Sequence, residues 1–490
     1  MEVNFVEFSV NHQLLYLLVA LLVALIAAVI AVRTVRFTPK PQPAVSEETF
    51  ELDEAAIIDA LAKLVRCKTI SYIDKSLEED AEFEKLISML PDLYPKVFAT
   101  CSFDQLPHRA LLLRWPGKTS GDPAVLMAHY DVVPVNEENW EKPPFAAILE
   151  DGVLWGRGTL DTKVTFNGVF SATEYLIGKG FQPEQDIYFA FSGGEEVSGE
   201  GAPNIVRYFM DHGIQPALVV DEGGAVVENV FPGVKKPCGV IGIAEKGMMN
   251  VQYRTVSSGG HASAPKPHTP VGILAAACKR VEDHPFKAHI EGPAAQMFDT
   301  LGRYSTPLYR VIFANMWCFG WVIDLLGKMS GGEINALIRT TSAFTQMEGS
   351  SARNVIPPEA KMVANMRLNP ADSVASALEY LKKTVKDENV EITVLESSEP
   401  SPVSETDCPA WDKVACAVAN TWKGCVVTPY LMVQCSDSRH YGELSNHVYR
   451  FSAMDLTSEE RATIHGNNER IRVETAVKAV EFYIRLMKQC

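Results

Sequence analysis

A histidine and an aspartate follow directly after an apolar run that has the composition of a buried β-strand. The run is Val125–Val133, with the sequence VLMAHYDVV, in which His129 ends the apolar part and Asp131 follows two residues later. A carboxylate at this spacing can fix the tautomer of the imidazole, so that its other nitrogen is free to bind a metal ion. A histidine after a strand is more often a hydrogen-bonded loop residue, so the assignment depends on the rest of the chain.

Acidic residues and a second histidine occur in four more segments that adjoin predicted strands and helices. The segments are WGRGTLDTK, FSGGEE, VVDEGG and IHGNNE. Their candidate residues are Asp161, Glu195, Glu196, Asp221, Glu222 and His465. Any one of these acids is better explained alone as a solvated loop residue or a helix N-cap. Together they supply oxygen and imidazole donors without a thiolate, and a pair of metal ions also needs a bridging carboxylate, so the set predicts a two-zinc site.

Strands and helices alternate through the segments that carry these residues. The predicted strands are Ala124–Ala128, Val153–Gly156, Ile187–Phe191 and Ala217–Val220, and the predicted helices between them are Val164–Ile177 and Ala202–His212. This alternation indicates an α/β domain with a mostly parallel sheet. Ligands of such sheets bind beyond the carboxyl ends of the strands, which is where the candidate residues lie.

The pattern changes near residue 245, where segments typical of antiparallel strands appear. Predicted strands at Ala343–Met347 and Lys361–Arg367 and a helix from Ser373 indicate an inserted α+β lid over residues 245–397. The catalytic domain then consists of residues 49–244 and 398–490, and ends in a predicted helix at Val473–Met487.

One segment inside the predicted lid, Val311–Met329, is strongly apolar and aromatic. It fits a buried lid helix, or a surface that receives a long acyl chain or touches a bilayer. Asp324 within it argues against a second membrane span.

The first apolar run of the chain is Leu14–Val32, nineteen residues without a charge. That length crosses a bilayer core of ~30 Å as a helix. The residues before it are acidic, whereas a cleavable signal peptide begins with basic residues, so we predict an uncleaved transmembrane helix at 14–32. Residues 33–48 are rich in proline and are predicted to be a stiff linker that holds the body away from the membrane.

The composition excludes several classes of partner and chemistry. A net charge of −16 argues against nucleic acid or anionic lipid surfaces as the main partners, since these require basic patches. The ten cysteines show neither CxxC spacing nor a dense disulfide pattern. A serine hydrolase is disfavoured because the sequence contains no G-x-S-x-G elbow.

The motifs HYDVVPV, GRGTLDTK, SGGEEVSGEGA and VVDEGG resemble those of the aminoacylase and carboxypeptidase S family of co-catalytic zinc hydrolases. The resemblance covers nearly all of the chain after the linker and is strongest for the branch of carboxypeptidase S and the N-fatty-acyl-amino acid synthase/hydrolases. It implies two zinc ions per subunit, with these residues in the site: His129 and Asp221 on one zinc, Asp161 as the bridge, Glu196 and His465 on the second zinc, Glu195 as general base and Asp131 behind His129. Glu222 competes with Asp221 for its role.

The same resemblance implies functions for three residues of the lid. His261 would donate to the oxyanion of the tetrahedral intermediate, often from a partner subunit, while Asn354 and Arg367 would hold the substrate carboxylate. A homodimer formed through the lid is the corresponding expectation.

The function expected from this resemblance is hydrolysis, or by reversal synthesis, of the amide between an acyl group and an amino acid. Carboxypeptidase action on small peptides is the alternative. A catalytically silent binding protein is a third reading, which the complete set of predicted ligands and the base Glu195 disfavour.

The side of the membrane is indicated differently by two observations. Arg33, Arg36 and Lys40 follow the apolar run while Glu2 and Glu7 precede it, which by the positive-inside rule places the body in the cytosol. The resemblance instead implies a lumenal, vacuolar or extracellular body. We expect a single-pass membrane protein with its catalytic domain on that second side.

Overall fold

The computed structural model describes residues 12–229 and 231–490. Its helices, in chain order, are α1 His12–Arg36, α2 Glu54–Val65, α3 Asp80–Leu93, α4 Pro95–Thr100, α5 Lys163–Gly178, α6 Gly201–Asp211, α7 Pro270–Asp283, α8 Gly292–Gly302, α9 Pro307–Ala314, α10 Met316–Ser330, α11 Gly332–Ile338, α12 Val374–Val385, α13 Pro409–Thr421, α14 Ser458–Arg461 and α15 Val473–Met487. Its strands are β1 Ser102–Leu106, β2 Ala110–Trp115, β3 Ala124–His129, β4 Ile148–Glu150, β5 Val153–Trp155, β6 Ile187–Ser192, β7 Leu218–Val227, β8 Cys238–Glu245, β9 Gly247–Val256, β10 Gly260–His261, β11 Thr341–Glu348, β12 Val355–Ile356, β13 Glu359–Leu368, β14 Glu391–Ser398, β15 Val426–Met432, β16 Val448–Leu456 and β17 Arg470–Arg472.

A mixed, mainly parallel sheet of eight strands forms the centre of the molecule. Its strand order is β1-β2-β6-β3-β7-β16-β8-β15, and β3 runs parallel to both β6 and β7. Every residue of β3 and β6 is buried, because helices cover both faces of the sheet. Leu126 and Ala128 face the core shared with α5 and α15, while Val125 and Met127 face α6. The predicted α/β class is confirmed.

The predicted strand Val153–Gly156 is not part of this central sheet. It forms β5, which pairs with β4 and β17 in a separate three-stranded antiparallel sheet. The prediction that it alternates with the parallel strands was therefore wrong. Three residues of strand propensity carry no information about which sheet they join, since pairing is decided by contacts distant in sequence. Here the partner, β17, comes directly before the last helix.

A second, antiparallel sheet has the strand order β11-β13-β9-β14 and carries α7 and α12 on one face. We call these six elements the outer unit. Its own hydrophobic core includes Val251, Tyr253, Leu274 and Leu381, all of which are buried. β9 alternates buried and half-buried residues along its length, as expected of a sheet packed on one side only.

The helices α8 to α11, although they lie within the predicted lid, do not join the outer unit. Phe298 and Phe313 pack against Phe231, and Ile323 and Leu337 belong to the same core as the central sheet. The sequence pattern had predicted that the inserted range 245–397 forms one body. In the structure the range is divided between the outer unit and the core of the central sheet. The apolar helices of this range pack on the core of the central sheet.

The long helix α1 projects from the body beside α9. From Gln13 onward its side chains are exposed except for a stripe of half-buried residues at Ile26, Ile30 and Thr34. The segment Gln13–Arg36 is the one helix of the described residues that is long and apolar enough, unbroken, to cross a membrane. The residues after it lie along the body, where Val427 N donates to the Gln42 side chain at 2.8 Å. The predicted linker thus contacts the body at Gln42.

Candidate metal centre

Two histidines and three carboxylates converge at the carboxyl ends of β3, β6 and the middle of β7. His129 Nε2 lies 3.0 Å from Asp161 Oδ1 and 3.3 Å from Glu222 Oε1. His465 Nε2 lies 2.9 Å from Asp161 Oδ2 and 3.1 Å from Glu196 Oε2. Each oxygen of Asp161 therefore faces a different histidine, which is the arrangement that a bridging carboxylate requires. We call these five residues, together with Glu195, the carboxylate–histidine cluster.

Asp131 organises this cluster from behind. The Nδ1 atom of His129 lies 3.0 Å from the backbone carbonyl oxygen of Asp131, so donation from Nδ1 leaves Nε2 as the free donor atom. The carboxylate of Asp131 is fully buried and accepts the backbone N–H groups of Glu195 and Glu196, each at 3.2 Å. One residue thus sets both the imidazole tautomer and the position of the two glutamates.

Asp221 and Glu222 occupy different surroundings, and the structure favours Glu222 for the metal cluster. Asp221 accepts the backbone N–H groups of Glu222 and Ser438, both at 2.9 Å, and its carboxylate is therefore engaged away from the histidines. Successive side chains of a strand point to opposite faces, so only one of the two acids can face His129. In this structure Glu222 lies beside His129, whereas the predicted ligand Asp221 binds backbone N–H groups.

The last glycine of the VVDEGG motif, Gly224, is required by the close approach of β8. β7 is paired with β16 on one side and contacts β8 on the other, and a Cβ atom on Gly224 would lie 1.8 Å from the carbonyl oxygen of Val240. Any larger residue would push β8 away from the cluster.

The charges of the cluster are those of a site built for cations. Among the described residues, no lysine or arginine nitrogen lies within 4.0 Å of the carboxylates of Asp161, Glu195, Glu196 or Glu222. Glu196 Oε1 is buried without a hydrogen-bond partner there. Burial raises the pKa of Glu196 to about 7 and raises the pKa of Glu195 well above its ordinary value. Carboxylate oxygens and imidazole nitrogens in this number fit divalent metal ions.

The same excess of negative charge raises the pKa of His465. Its hydrogen bonds to Asp161 and then to Glu196 raise the pKa of the imidazole to about 10. The two carboxylates therefore favour a positive charge at this position. The donor set fits a metal pair better than it fits a salt-bridge network between side chains alone.

Glu469 supports the turn that carries Asp161, a role that no sequence motif indicates. Its buried carboxylate accepts from Arg157 Nη1 at 2.6 Å and from the backbone N–H groups of Gly158 and Leu160 at 3.0 and 2.7 Å. A further N–H, that of Asp161, lies 3.2 Å away. The glycine-rich turn GRGTLD is thus wrapped around one anion that comes from the loop after His465.

We expect Glu469→Gln to destabilise the protein and to weaken metal binding. The substitution leaves the buried guanidinium of Arg157 without its anion, and breaking a buried pair in this way costs about 3–5 kcal/mol. The measurement is the midpoint of urea unfolding together with metal content after dialysis. Glu474→Gln, on an exposed acid of α15, is the matched control and should change neither quantity. Unchanged stability of Glu469→Gln would remove this role from Glu469.

A cavity of about 440 Å³ opens beside the cluster. Asp161, Glu195, Glu196, Glu222 and His465 all contribute to its wall. From Glu222 the wall continues along β7 to Val227, five residues further and roughly 16 Å along an extended strand. Its aliphatic and methionine lining residues are Leu160, Ala225, Val227, Val240, Leu337, Met432, Val433, Met454, Leu456 and Ile464.

The family of the chain can be named from its sequence. Residues 125–489 match the sequence model of Peptidase family M20/M25/M40. The chain belongs to this family. The predicted membership is confirmed, and so is the prediction of an enzyme: family M20 proteins are metallopeptidases and amidohydrolases.

Two curated relatives cover most of the chain. The N-fatty-acyl-amino acid synthase/hydrolase PM20D1 of Xenopus tropicalis is 35% identical over 453 residues, which is 90% of this chain and 87% of the relative. The probable carboxypeptidase S-like 2 of Dictyostelium discoideum is 32% identical over 472 residues, which is 93% of this chain and 90% of the relative.

Solved structures of family M20 share the fold. Human carnosine dipeptidase 1 superposes with a TM-score of 0.64 at 14% identity, covering 92% of this chain and 99% of the other. YXEP of Bacillus subtilis, described as a dinuclear metal-binding peptidase of the M20 family, has a TM-score of 0.54 at 12% identity, with 89% and 98% covered.

None of the three predicted lid residues lines the cavity. His261 and Asn354 are exposed neighbours, since β10 pairs with β12 and Ala262 N donates to the carbonyl oxygen of Asn354 at 2.9 Å. Arg367 differs from these two because it contacts a wall residue, with its Nη1 atom 3.2 Å from the Sγ atom of Cys435. The structure thus brings Arg367 to the site and leaves the other two outside it.

The apolar segment Val311–Met329 is also absent from the cavity wall. Trp317 is 57% exposed and Trp321 is 65% exposed. The segment therefore does not line the cavity, and the apolar part of the cavity wall lies along β7, β8 and β16.

Proposed function

We propose that this M20-family protein is a dizinc enzyme that hydrolyses the amide bond between a long acyl chain and an amino acid, and forms that bond in reverse. The observation that carries the proposal is the cavity, which extends from the carboxylate–histidine cluster along a mainly aliphatic wall that also includes Glu333, Gln434 and Arg461. A fatty acyl chain gains free energy from such a wall in proportion to the apolar area it buries. Similarity to the PM20D1 proteins over most of the chain supports the same substrate class.

The residues proposed to hold the two zinc ions divide into two sets that share Asp161. His129 and Glu222 belong to the first set, and His465 and Glu196 to the second. When bound, such a metal pair supplies Lewis-acid activation of a water molecule and polarises the scissile carbonyl group. Asp131 keeps His129 in the tautomer whose Nε2 faces the cluster.

Glu195 is proposed to move the proton. Its carboxylate faces the same space as His129 and Glu222, since their donor atoms lie within 4.8 Å of one another. Burial, together with the charges of neighbouring acids, raises the pKa of this carboxyl group well above its ordinary value, which suits a group that accepts a proton from water and then donates it to the leaving amine nitrogen.

Arg367 is proposed to bind the carboxylate of the amino acid. Its guanidinium reaches the cavity wall at Cys435, and the fork of an arginine can meet a carboxylate with two hydrogen bonds. His261 and Asn354 would have to reach the cavity by movement of the outer unit or from a second subunit, as the family resemblance implies. The proposed oxyanion donor and the proposed dimer therefore belong together.

α1 is proposed to be a membrane anchor. It is exposed over most of its length and carries no charged side chain between His12 and Arg33. The body would then face the lumenal, vacuolar or extracellular side, against the direction given by the flanking charges.

Carboxypeptidase action on small peptides is the alternative, and similarity to the carboxypeptidase S-like protein favours it. The same cluster chemistry would serve both reactions, so the acyl side of the substrate distinguishes them. A peptide places a polar backbone where a fatty acid places methylene groups, and the aliphatic side chains of the wall cannot form hydrogen bonds with that backbone.

The test compares an N-oleoyl amino acid, an N-acetyl amino acid and a dipeptide that share one C-terminal residue, using the full chain in detergent with zinc. We expect kcat/KM to be highest for the oleoyl compound. Val227→Phe narrows the cavity at its distal end. It should lower kcat/KM for the oleoyl compound on the order of tenfold and leave kcat/KM for the acetyl compound unchanged. A preference for the dipeptide in the wild type, unaffected by Val227→Phe, would establish the alternative.

A further inference from the structure

Helix α10 presents apolar side chains to the outside of the molecule. Trp317, Trp321, Leu325 and Met329 follow one another at intervals of four residues and are between 46% and 76% exposed. Residues at this spacing lie on one face of a helix, so the four side chains form a continuous strip. We call it the tryptophan strip. Apolar surface of this kind usually marks a contact site.

The face of α10 toward the body is also apolar, since Ile323 and Gly327 are buried there, and the charged residues Asp324 and Lys328 lie along the edge of the strip. Asp324 Oδ1 lies 2.5 Å from Nη2 of the buried Arg339, and Lys328 donates to Asp324 Oδ2 at 2.8 Å. Arg339 also donates to the carbonyl oxygen of Phe286 at 3.0 Å. The helix is thus apolar both toward the body and toward the outside, whereas a surface helix that covers a soluble core has a polar outer face.

The position of α10 is fixed by α1. The residues before α9 contact the chain just after α1, where Arg303 donates to the carbonyl oxygen of Thr38 at 2.9 Å. At the other end of α9, Asn315 Nδ2 donates to Thr34 Oγ1 at 3.1 Å and lies 3.4 Å from the carbonyl oxygen of Ile30. α9 therefore runs along α1 away from the body.

α10 begins at the level that α9 has reached. Ile30 lies six residues before the end of α1, which is ~9 Å along a helix, and it belongs to the apolar run. α10 then turns away from α9 with a bend of 113°. Its fifteen residues span ~22 Å, too short for a bilayer core of ~30 Å.

We propose that α10 lies in the membrane interface, with the tryptophan strip inserted among the lipids of the leaflet that faces the body. The occupant is a lipid bilayer because the strip begins beside the apolar run of α1, so that the two apolar surfaces are continuous. Tryptophan is the side chain that membrane interfaces favour, since its ring is apolar and its N–H is polar. The inference goes beyond the proposed reaction and rests on the proposed anchoring by α1.

The consequence is a body held against the membrane at a second point. α11 follows α10 directly and contributes Glu333 and Leu337 to the cavity wall. A bilayer contact at α10 therefore places the cavity within one short helix of the lipid surface, from which a long-chain substrate partitions.

The test reconstitutes the full chain in phosphatidylcholine vesicles that carry bromine near the glycerol end of the acyl chains, and measures tryptophan fluorescence. Neither α1 nor the residues before it contain tryptophan, so the signal does not come from the anchor. We expect brominated lipids to quench the wild type, and we expect Trp317→Phe/Trp321→Phe to lose most of that quenching. Trp155→Phe/Trp411→Phe is the matched control and should keep it.

A second variant tests insertion without removing the fluorophores. Leu325→Glu places a charge in the strip at an exposed position, where folding does not depend on the side chain. It should lower the quenching of Trp317 and Trp321 by brominated lipid, while activity on the N-acetyl substrate is retained.

Flotation with the vesicles reports anchoring by α1 separately. Protein that floats but shows equal quenching in wild type and Trp317→Phe/Trp321→Phe would overturn the α10 proposal alone. If two copies of the chain cross-link at position 325 and brominated lipid does not quench the tryptophan fluorescence, the strip contacts a second copy. That result would also overturn the α10 proposal. Protein that does not float would overturn both the anchor and the inference that rests on it.

Discussion

Glu195→Gln is expected to lower kcat by ~10²–10⁴-fold while the protein still binds its full complement of metal. A positioned general base contributes about this factor, and an amide in place of the carboxylate cannot accept the proton. The shape of the site should survive, because Glu195 is held through its backbone N–H by Asp131 and not through its side chain. The measurement is kcat on the N-oleoyl substrate together with zinc content per chain.

Glu200→Gln is the matched control for this prediction. Glu200 lies five residues further along the same loop and is exposed, so its replacement should leave kcat and metal content unchanged. If Glu195→Gln instead lost metal, Glu195 would be a ligand and not the base. If it kept full activity, the proton would have to be taken by another of the cluster acids.

The central sheet could be predicted from the sequence because its strands are buried on both faces. Runs such as VLMAH and IYFAFS are almost entirely apolar, and that pattern is typical of parallel strands covered by helices. The last helix was predicted at the bounds that the structure gives it, Val473–Met487, because its apolar residues form a single stripe. Local periodicity was sufficient for these elements.

The division of the chain between the two cores could not be predicted in the same way. α10 and α11 have a helical pattern, but the pattern does not say which sheet a helix covers. The contacts that decide it, such as Phe313 against Phe231, join residues about eighty positions apart. The exposure of Trp317 and Trp321 could not be predicted either, since an apolar stripe has the same sequence pattern whether it packs on a core or contacts a membrane.

Glu469 illustrates a different limit. It lies in a segment that sequence reasoning had selected for His465, yet its role depends on backbone N–H groups more than 300 residues earlier. A buried acid that binds a turn has no periodic signal and no motif spacing. Only the closure of the chain brings the two segments together.

The choice between Asp221 and Glu222 is the point at which sequence and structure disagree within the site, and it can be tested directly. Glu222→Gln is expected to reduce the metal content from two ions toward one. It should also lower kcat/KM on the order of 10²–10³-fold, because a metal ion supplies several kcal/mol of charge stabilisation in the transition state. The carboxylate of Glu222 faces His129 Nε2 at 3.3 Å, so no other side chain of β7 replaces it there.

Asp221→Asn is the matched variant on the neighbouring residue and should fail in a different way. An amide can accept only one of the two N–H groups that Asp221 now binds, so we expect a loss of about 1–3 kcal/mol in the free energy of unfolding with both metal ions retained. Metal content and urea unfolding of the two variants, measured side by side, separate the roles. Loss of a metal ion from Asp221→Asn together with its retention in Glu222→Gln would return Asp221 to the ligand set, since a side chain that only binds backbone amides cannot change the number of ions held.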